Sequence, residues 1–257
     1  MLKPAIVGLG HVGSLVRRVF PDALAYDKYQ PCPNSREELA TADLVFITVP
    51  APTRHDRSVD LTEVRDALTI GRSDAIRVLK STVPPGTTAA LRDETSRRIV
   101  HSPEFIGEWE YPGWVHEGDQ WPYVIVGGEQ ADIELVLEAY AERMGAHASY
   151  FATDSTTAEF VKYMENAWLA AQVTFANEFY DLAQACGVNY WAARELWSED
   201  PRVSKTHTVV RRWERGFGGR CLPKDVDAIL GVAAAMSVAM PMLSSVSDSN
   251  HRRRGTP

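Results

Sequence analysis

The sequence has few cysteines, and their spacing is irregular. Cys32, Cys186 and Cys221 are the three cysteines among 257 residues. An odd number at uneven intervals excludes a disulfide framework within the chain and a paired Cys-x-x-Cys zinc site. No metal site is therefore expected. This cysteine usage favours a reducing compartment, and we expect a cytoplasmic protein.

Basic residues are not in excess either. The 27 lysines and arginines are outnumbered by 34 aspartates and glutamates, so the formal net charge is −7. A field of this sign does not attract nucleic acid or an anionic membrane, and neither is expected as a partner. An anionic small molecule must be held by a local device, such as the amino end of a helix.

Long uncharged runs are scarce. The chain does not begin with a cationic segment and an apolar core, so no export signal is expected. The run 229–246 carries no charge over 18 residues, which is near the lower limit for a membrane-spanning helix. Its alanine, glycine and serine content makes it weakly hydrophobic, and Pro241 is expected to end its helix. The run therefore predicts a buried helix.

Short β-branched runs alternate with helical segments from residue 4 to about residue 149. The predicted strands are 5–8, 23–26, 43–49, 75–80, 98–101, 123–126 and 146–151. The predicted helices are 11–20, 35–40, 60–68, 87–94 and 131–144. This alternation predicts an α/β fold, a doubly wound parallel sheet with helices on both faces.

The strand pattern ends after residue 151. Asp154 offers a helix N-cap, and the helical pattern that follows reaches Cys186, where Gly187 can terminate it. The predicted organisation is a sheet domain at 1–152, an all-helical domain at 153–246 and a short basic tail at 247–257. The long helix has an apolar flank that suits a two-fold interface, so a homodimer is expected.

A glycine motif lies between the first predicted strand and the first helix. Its residues are Gly8, Gly10, His11, Val12 and Gly13. The first glycine permits the turn, the second admits a pyrophosphate, and the third permits close helix packing. Asp27 follows Gly8 by 19 residues and ends the second strand, where a carboxylate accepts ribose hydroxyls and repels a 2′-phosphate. The motif predicts NAD as the cofactor, in preference to NADP.

Two further loops follow predicted strands. One holds Val49, Pro50 and Thr53, and the other, 81–87, holds Thr82. In an open parallel sheet, ligands lie beyond the carboxyl ends of the strands, so both loops are expected to line the cofactor crevice. Each loop taken alone is equally consistent with an ordinary turn.

The helical half opens with a polar stripe. Glu159, Lys162 and Asn166 are three and four residues apart, so they share one helix face, and Asn177 falls on it three turns later. On this segment alone, the favoured interpretation is a surface ion pair between Glu159 and Lys162.

A second glycine-rich motif, 216–225, contains Cys221. Pro223 suits the first turn of a helix, which places Cys221 just before the helix with Lys224 nearby. Such an environment favours the thiolate, and Asp225 can take or relay a proton. The alternative is a small cysteine in the core.

Together these motifs resemble the UDP-glucose and GDP-mannose dehydrogenase family of nucleotide-sugar dehydrogenases. The resemblance runs in family order through residues 8–13, 81–87, 102–105, 158–166, 177–178, 200–202 and 216–225. It implies a Rossmann-type domain followed by a helical dimerisation domain. It also implies an oxidoreductase that converts a sugar primary alcohol into a carboxylate by two hydride transfers to NAD, through a cysteine thioester.

By this resemblance Cys221 is the nucleophile, and Lys162 with Asn166 stabilises the oxyanion. Glu104 and Asp225 are alternatives for the group that activates water. These residue types suit the chemistry, because a tetrahedral alkoxide needs a cation beside it and thioester hydrolysis needs a base.

The resemblance assigns two more positions to the cofactor side. Thr82 lies at the junction of cofactor and catalytic groups, and Lys224 helps connect them. The residues implied at the substrate are Glu104, Phe105, Lys162, Asn166, Arg202, Phe217 and Gly218. Arg202 is implied to reach the substrate from a partner subunit.

The chain departs from the family pattern in two places. Family members normally continue into a second doubly wound domain that holds the nucleotide, so a member without that domain is expected. After Glu104 the segment 106–109 lacks an expected basic residue, and Trp109, Trp114 and Trp121 either stack on a ligand or pack in the core. Two alternatives stay open: a single-step β-hydroxyacid-type dehydrogenase without a cysteine nucleophile, and an NAD-binding, dimerising module without turnover.

Overall fold

The computed structural model describes residues 2–105 and 123–255. The chain divides into two compact units: unit 1 comprises Met1–Arg54 and Val59–Lys162, and unit 2 comprises His55–Ser58 and Tyr163–Pro257. The domain boundary expected at residue 152 stays a prediction. The sequence expectations for 106–109 and for the three tryptophans Trp109, Trp114 and Trp121 lie outside the described residues.

Unit 1 is built on a sheet with the strand order β2-β1-β3-β4-β5-β6-β7. The strands are β1 (Pro4–Val7), β2 (Leu24–Tyr26), β3 (Leu44–Ile47), β4 (Ile76–Leu79), β5 (Arg98–His101), β6 (Tyr123–Gly127) and β7 (Ser149–Thr153). Strands β1 to β5 are mutually parallel. The strand order reverses between β1 and β3, which is where open α/β sheets bind their ligands.

The predicted parallel arrangement does not extend to the edge of the sheet formed by β6 and β7. β6 lies antiparallel to β5, with His101 opposite Gly127, and β7 runs parallel to β6. A hydrophobic pattern identifies a strand without giving its direction. The sequence also predicts no helix between these two strands, and an antiparallel neighbour needs no crossover helix.

Helices cover both faces of the sheet. They are α1 (His11–Val19), α2 (Thr62–Ala67), α3 (Thr87–Thr95) and α4 (Gln130–Met144). Along β3, Phe46 belongs to one buried cluster while Val45 and Ile47 belong to the other, as the alternation of side chains along a strand requires. The predicted α/β class is confirmed, although the helix predicted at 35–40 is only a 3₁₀ turn, Glu38–Thr41.

The long predicted helix is present as α5 (Ser155–Ala185), and the division between the units falls within it. Asp154 caps α5, because its carboxylate accepts a hydrogen bond from Thr157 N at 2.8 Å. Gly187 follows with a φ of +68°, as the left-handed end of a helix requires. The other helices described in unit 2 are α6 (Tyr190–Trp197), α7 (Leu222–Ala235) and α8 (Pro241–Arg254). Within 2–105 and 123–255, no helix is long and apolar enough to cross a membrane.

Two expectations for the end of the chain are wrong. Pro241 does not end the helix of the uncharged run; α7 ends at Ala235, and Pro241 begins α8. Proline is favoured in the first turn because the amide it lacks has no helical partner there. The segment 247–257, expected as a basic tail, is helical to Arg254, and Asn250 within it is buried.

Candidate active site

Close packing in the turn after β1 explains why two of its three positions require glycine. Gly8 has a φ of +95°, and its carbonyl accepts a hydrogen bond from Thr48 Oγ1 at 2.6 Å. A Cβ on Gly13 would lie 2.0 Å from the oxygen of Gly8, so α1 needs a glycine to approach β1 this closely. A Cβ on Gly10 would meet nothing within 4 Å. The fold therefore leaves space at Gly10, where the motif places a pyrophosphate.

Asp27 lies directly beside this turn. Its Oδ2 accepts a hydrogen bond from Leu9 N at 2.7 Å, and its Oδ1 accepts one from Tyr29 N at 2.8 Å. The exposed side-chain amide of Gln30 donates a longer bond of 3.3 Å to Oδ2, which a ribose hydroxyl can replace. A concavity here is lined by residues that include Gly8, Asp27, Tyr29, Val49, Pro50 and Ala67.

The loops after β3 and β4 lie side by side, since these strands are paired and parallel. Ser81 Oγ donates a hydrogen bond to Val49 O at 2.6 Å and so ties the two loops together. Pro50 is exposed, and Val49 and Thr82 are half-buried. Thr53 lies farther along the first loop, in an isolated bridge to Val59. Exposed His11 and half-buried Val12 begin α1 near the same sheet edge.

Glu159 is fully buried, so its interpretation as half of a surface ion pair is wrong. Its carboxylate accepts hydrogen bonds from Gly86 N at 2.6 Å, Thr88 N at 2.7 Å and Thr88 Oγ1 at 2.6 Å. Glu159 therefore caps the amino end of α3, where a negative charge is favourable. Burial nevertheless raises the pKa of Glu159, and these hydrogen bonds oppose that rise.

A buried polar cluster follows β4 and β5. Lys80 is 2% exposed, and its Nζ lies 3.8 Å from Glu104 Oε2 and 3.4 Å from the Tyr140 hydroxyl. Burial lowers the pKa of Lys80 to about 8, although the Glu104 carboxylate opposes that shift. The sequence pointed to Glu104 but missed Lys80. The available signal was a lysine at the end of an apolar strand.

Two more side chains complete this cluster. His101 is fully buried, and in the described part of the chain neither ring nitrogen has a hydrogen-bond partner. Burial, helped by the Lys80 charge, lowers the pKa of His101 to about 3. Lys162 Nζ lies 5.0 Å from the centroid of the Phe105 ring, and its charge acts on Lys80. Unit 1 thus brings Glu104, Phe105 and Lys162 together around Lys80.

Unit 2 brings together three other predicted residues. Asn166 Nδ2 donates a hydrogen bond to Asp225 Oδ2 at 2.6 Å, and both residues are buried. Lys224 forms an ion pair with the other oxygen of Asp225. Cys221 is exposed and forms the N-cap of α7, with Pro223 in the first turn, as predicted. The Cys221 carbonyl accepts a hydrogen bond from Asp225 N at 3.0 Å.

The glycine loop before Cys221 is held by two buried asparagines. Asn177 Oδ1 accepts hydrogen bonds from Arg215 Nε at 2.7 Å and from Gly216 N at 3.2 Å. Asn250 Oδ1, from α8, accepts one from Phe217 N at 2.8 Å. Gly216 has a φ of +74°, and a Cβ there would lie 2.3 Å from Asn250 Oδ1. The sequence missed Asn250 because it placed that residue in a tail.

Two predicted substrate residues have different surroundings. Gly218 lies under the Arg254 guanidinium, which a Cβ would approach to 2.8 Å. The Arg202 side chain is 87% exposed and pairs with Asp200 at 2.5 Å. The role of Arg202 therefore stays a prediction. Among the described residues, no group of three or more His, Cys, Asp or Glu side chains could hold a metal ion.

Two family models match this chain. The NAD binding domain of the UDP-glucose/GDP-mannose dehydrogenase family matches residues 17–144, and the central domain of the same family matches residues 156–252. The chain belongs to this family. The match confirms the expected family and NAD as its cofactor. The glycine turn at 8–13 precedes the matched residues, so its assignment depends on the geometry described above.

Curated relatives carry the names of two sugar dehydrogenases. The UDP-glucose 6-dehydrogenase of Rickettsia felis is 31% identical over 227 residues, which cover 84% of this chain and 49% of that protein. The UDP-glucose 6-dehydrogenase of Pseudomonas aeruginosa is 32% identical over 234 residues, 85% of this chain and 50% of that protein. The GDP-mannose 6-dehydrogenase of Pseudomonas savastanoi pv. phaseolicola is 30% identical over 232 residues, 83% of this chain and 52% of that protein. The chain thus spans about half the length of these relatives.

Solved structures confirm the fold. A UDP-glucose dehydrogenase from Pyrobaculum islandicum matches 98% of this chain and 68% of its own, with a TM-score of 0.83 and 25% identity. The 3-hydroxyisobutyrate dehydrogenase of Mycobacterium tuberculosis matches 96% of this chain and 92% of its own, with a TM-score of 0.71 and 18% identity. At that identity the second likeness concerns the fold alone.

Proposed function

We propose that this chain oxidises the primary alcohol of a nucleotide sugar, or of a related sugar, to the carboxylate in two oxidations with NAD. The observation that carries the proposal is the exposed Cys221 at the amino end of α7, one turn before Asp225 and its partners Asn166 and Lys224. A single oxidation of an alcohol needs no thiol, whereas oxidation to the acid is helped by a covalent intermediate.

The residues of unit 1 fit NAD. Gly10 leaves open space at the amino end of α1, and the Asp27 carboxylate lies beside that turn with one displaceable donor. When bound, NAD accepts a hydride in each oxidation. The residues that we assign to holding it are Gly8, Gly10, His11, Val12, Gly13, Asp27, Val49, Pro50, Thr53 and Thr82, with Lys224 on the catalytic side.

Cys221 is assigned as the nucleophile. Once the alcohol is an aldehyde, the thiolate forms a sulfur–carbon bond and the carbonyl electron pair moves onto oxygen. We assign stabilisation of that oxyanion to the Lys162 ammonium group and to the Asn166 amide, whose second N–H is a further donor. Loss of a hydride from the same carbon then leaves a thioester on Cys221.

Water must next attack the thioester carbon and release the Cys221 thiol. Glu104 and Asp225 stay alternatives for the group that takes the proton from water. Asp225 is held by Asn166 and Lys224, and Glu104 lies beside Lys80. The overall reaction balances as one alcohol, one water and two NAD⁺ giving one carboxylate, two NADH and three protons.

A panel of UDP- and GDP-sugars, followed by NADH absorbance, tests this proposal. We expect two NADH per substrate oxidised, and we expect Cys221→Ser to abolish turnover. Cys186→Ser is the matched control, because Cys186 is also an exposed cysteine of unit 2. One NADH per substrate with tolerance of Cys221→Ser would establish a single-step dehydrogenase instead. Thermal stabilisation by NAD without turnover would establish a binding module. The cytoplasmic location stays a prediction.

The second part of this proposal is a homodimer formed through α5. In unit 2 this helix exposes five large apolar side chains that are 45% to 61% exposed: Met164, Trp168, Phe175, Phe179 and Leu182. At about 100° per residue they fall within roughly 60° around the helix axis. An apolar stripe of this length marks an interaction surface, and a two-fold partner supplies the same stripe.

The mass in solution tests the dimer. We expect a dimer by light scattering and a monomer for Trp168→Glu combined with Phe179→Glu. Gln184→Glu is the control, since this exposed position lies on the other side of α5. A parent protein that is monomeric at micromolar concentration would contradict the proposal.

A further inference from the structure

We propose that Lys80 is a positioning residue for Glu104: its buried ammonium group holds the Glu104 carboxylate in place beside Phe105 and Lys162. The inference rests on the proposed function, in which Glu104 is one of two candidates for activating water. It adds to the site a residue that directly follows β4, at the start of the loop that holds Thr82.

The contacts of Lys80 single out Glu104. Lys80 Nζ lies 3.5 Å from Ser102 Oγ, 3.4 Å from Pro103 O and 3.4 Å from the Tyr140 hydroxyl, and all three groups are neutral acceptors. Glu104 Oε2, at 3.8 Å, supplies the negative charge in this set. Because a buried charge is costly unless it is paired, the Glu104 carboxylate supports the charged form of Lys80.

The other titratable groups around Lys80 do not compete for this role. Burial raises the pKa of Tyr140 on α4, so its hydroxyl is neutral. His101 on β5 is neutral as well, with a pKa of about 3. Lys162 on α5 is a second cation, and its charge makes protonation of Lys80 harder. Among these described residues, Glu104 is therefore the carboxylate that faces Lys80.

Lys80 also differs from a lysine buried for packing alone. Its contacts with Ser102, Pro103 and Tyr140 are 3.4 to 3.5 Å long, and none of these three groups carries a negative charge. The attraction that stabilises the Lys80 charge comes chiefly from Glu104, since electrostatic attraction falls off slowly with distance in dry surroundings. Removing the Glu104 charge must therefore change the titration of Lys80.

The first experiment measures this coupling without substrate or cofactor. Lysines are labelled with ¹³C at Cε, and the Lys80 signal is identified by its loss in Lys80→Met. We expect the titration midpoint of Lys80 to fall by about one pH unit or more in Glu104→Gln, because the carboxylate that raises it is gone. Tyr140→Phe is the matched control: it removes a neutral contact, and we expect the midpoint to stay in place. An unchanged midpoint in Glu104→Gln would overturn the proposal.

The second experiment uses turnover. In Lys80→Met we expect the first NADH to form and the thioester on Cys221 to accumulate, with hydrolysis slowed about tenfold. The rate of formation of the first NADH should stay within about twofold of the parent, which a general structural defect of the site would not allow. A parent enzyme without two-NADH turnover would contradict the proposed function and leave the measured coupling intact. If the parent enzyme turns over and Lys80→Met slows formation of the first NADH as much as thioester hydrolysis, the role of Lys80 is contradicted.

Discussion

Two buried cations lie three residues apart, one inside β4 and one just after it, and their surroundings differ. Arg77, inside β4, donates hydrogen bonds to five backbone carbonyl oxygens between residues 68 and 75, at 2.5 to 3.5 Å. Lys80, just after β4, contacts neutral groups at 3.4 to 3.5 Å and the Glu104 carboxylate at 3.8 Å. Arg77 serves the connection that feeds the strand, whereas Lys80 lies at the carboxyl end, where this fold binds ligands. A buried cation whose partners are nearby backbone carbonyls indicates a role in stability. A buried cation that faces a charged side chain from far away in the sequence indicates a role in a functional site.

The largest effect is expected when Arg77, the better bonded of the two cations, is replaced. Arg77→Leu leaves buried carbonyl oxygens without donors, and we expect the free energy of unfolding to fall by about 3–5 kcal/mol. Urea denaturation checks this value. Arg65→Leu, which removes an exposed arginine of α2, is the control and should have little effect. A loss below 1 kcal/mol for Arg77→Leu would mean that the backbone of 68–75 holds its conformation without the guanidinium group.

His101 provides a test of the surroundings of Lys80. The pKa of His101 is about 3 in the folded chain against 6.5 in the unfolded chain. Below pH 6.5 the His101 side chain therefore binds a proton in the unfolded chain but stays neutral in the folded chain. The stability that this difference contributes is fully present above pH 6.5 and is lost as the pH falls towards 3. We expect a loss of about 3 kcal/mol between pH 7 and pH 4 from this group. His101→Phe should remove that part of the slope, whereas the exposed His147→Asn should keep it. Equal slopes in both variants would contradict the prediction.

Asn250 is a buried polar residue of unit 2 whose role can be tested in the same way. Asn250→Ala removes the acceptor for Phe217 N, and we expect a loss of about 1–3 kcal/mol in unfolding free energy. Because this bond holds the loop before Cys221, the rate of Cys221 alkylation should change as well. Asn250→Asp keeps an acceptor oxygen and should restore most of both properties. Full stability with unchanged alkylation in Asn250→Ala would leave the asparagine without a positioning role.

The smallest effect on folding is expected at Gly10, where the fold leaves space. Gly10→Ala should change the unfolding free energy by less than about 0.5 kcal/mol. It should nevertheless weaken NAD binding about tenfold, because the added methyl group occupies the approach to the pyrophosphate. NAD-dependent thermal shifts measure both quantities, with Arg17→Ala on exposed α1 surface as the control. Unchanged NAD binding in Gly10→Ala would move the cofactor away from this turn.

Local signals predicted both ends of α5 and the start of α7. The Asp154 cap, the Gly187 terminus and the position of Cys221 before α7 all depend on backbone groups within a few residues. Direction and partnership were harder to predict. The orientation of β6 and the helical state of 247–254 depend on packing against elements far away in the chain.

By itself, the sequence determined the α/β class, the glycine turn with Asp27, the long helix and the motif that identifies the family, because each is encoded by residue types at short fixed spacings. Only the tertiary structure decided that Lys80 faces Glu104 and Tyr140, that Glu159 caps α3, and that Asn250 holds the loop before Cys221. These contacts join residues 24 to 71 positions apart. Side chains so far apart in the chain meet only when the core packs, and no local pattern records which of them will share a buried space.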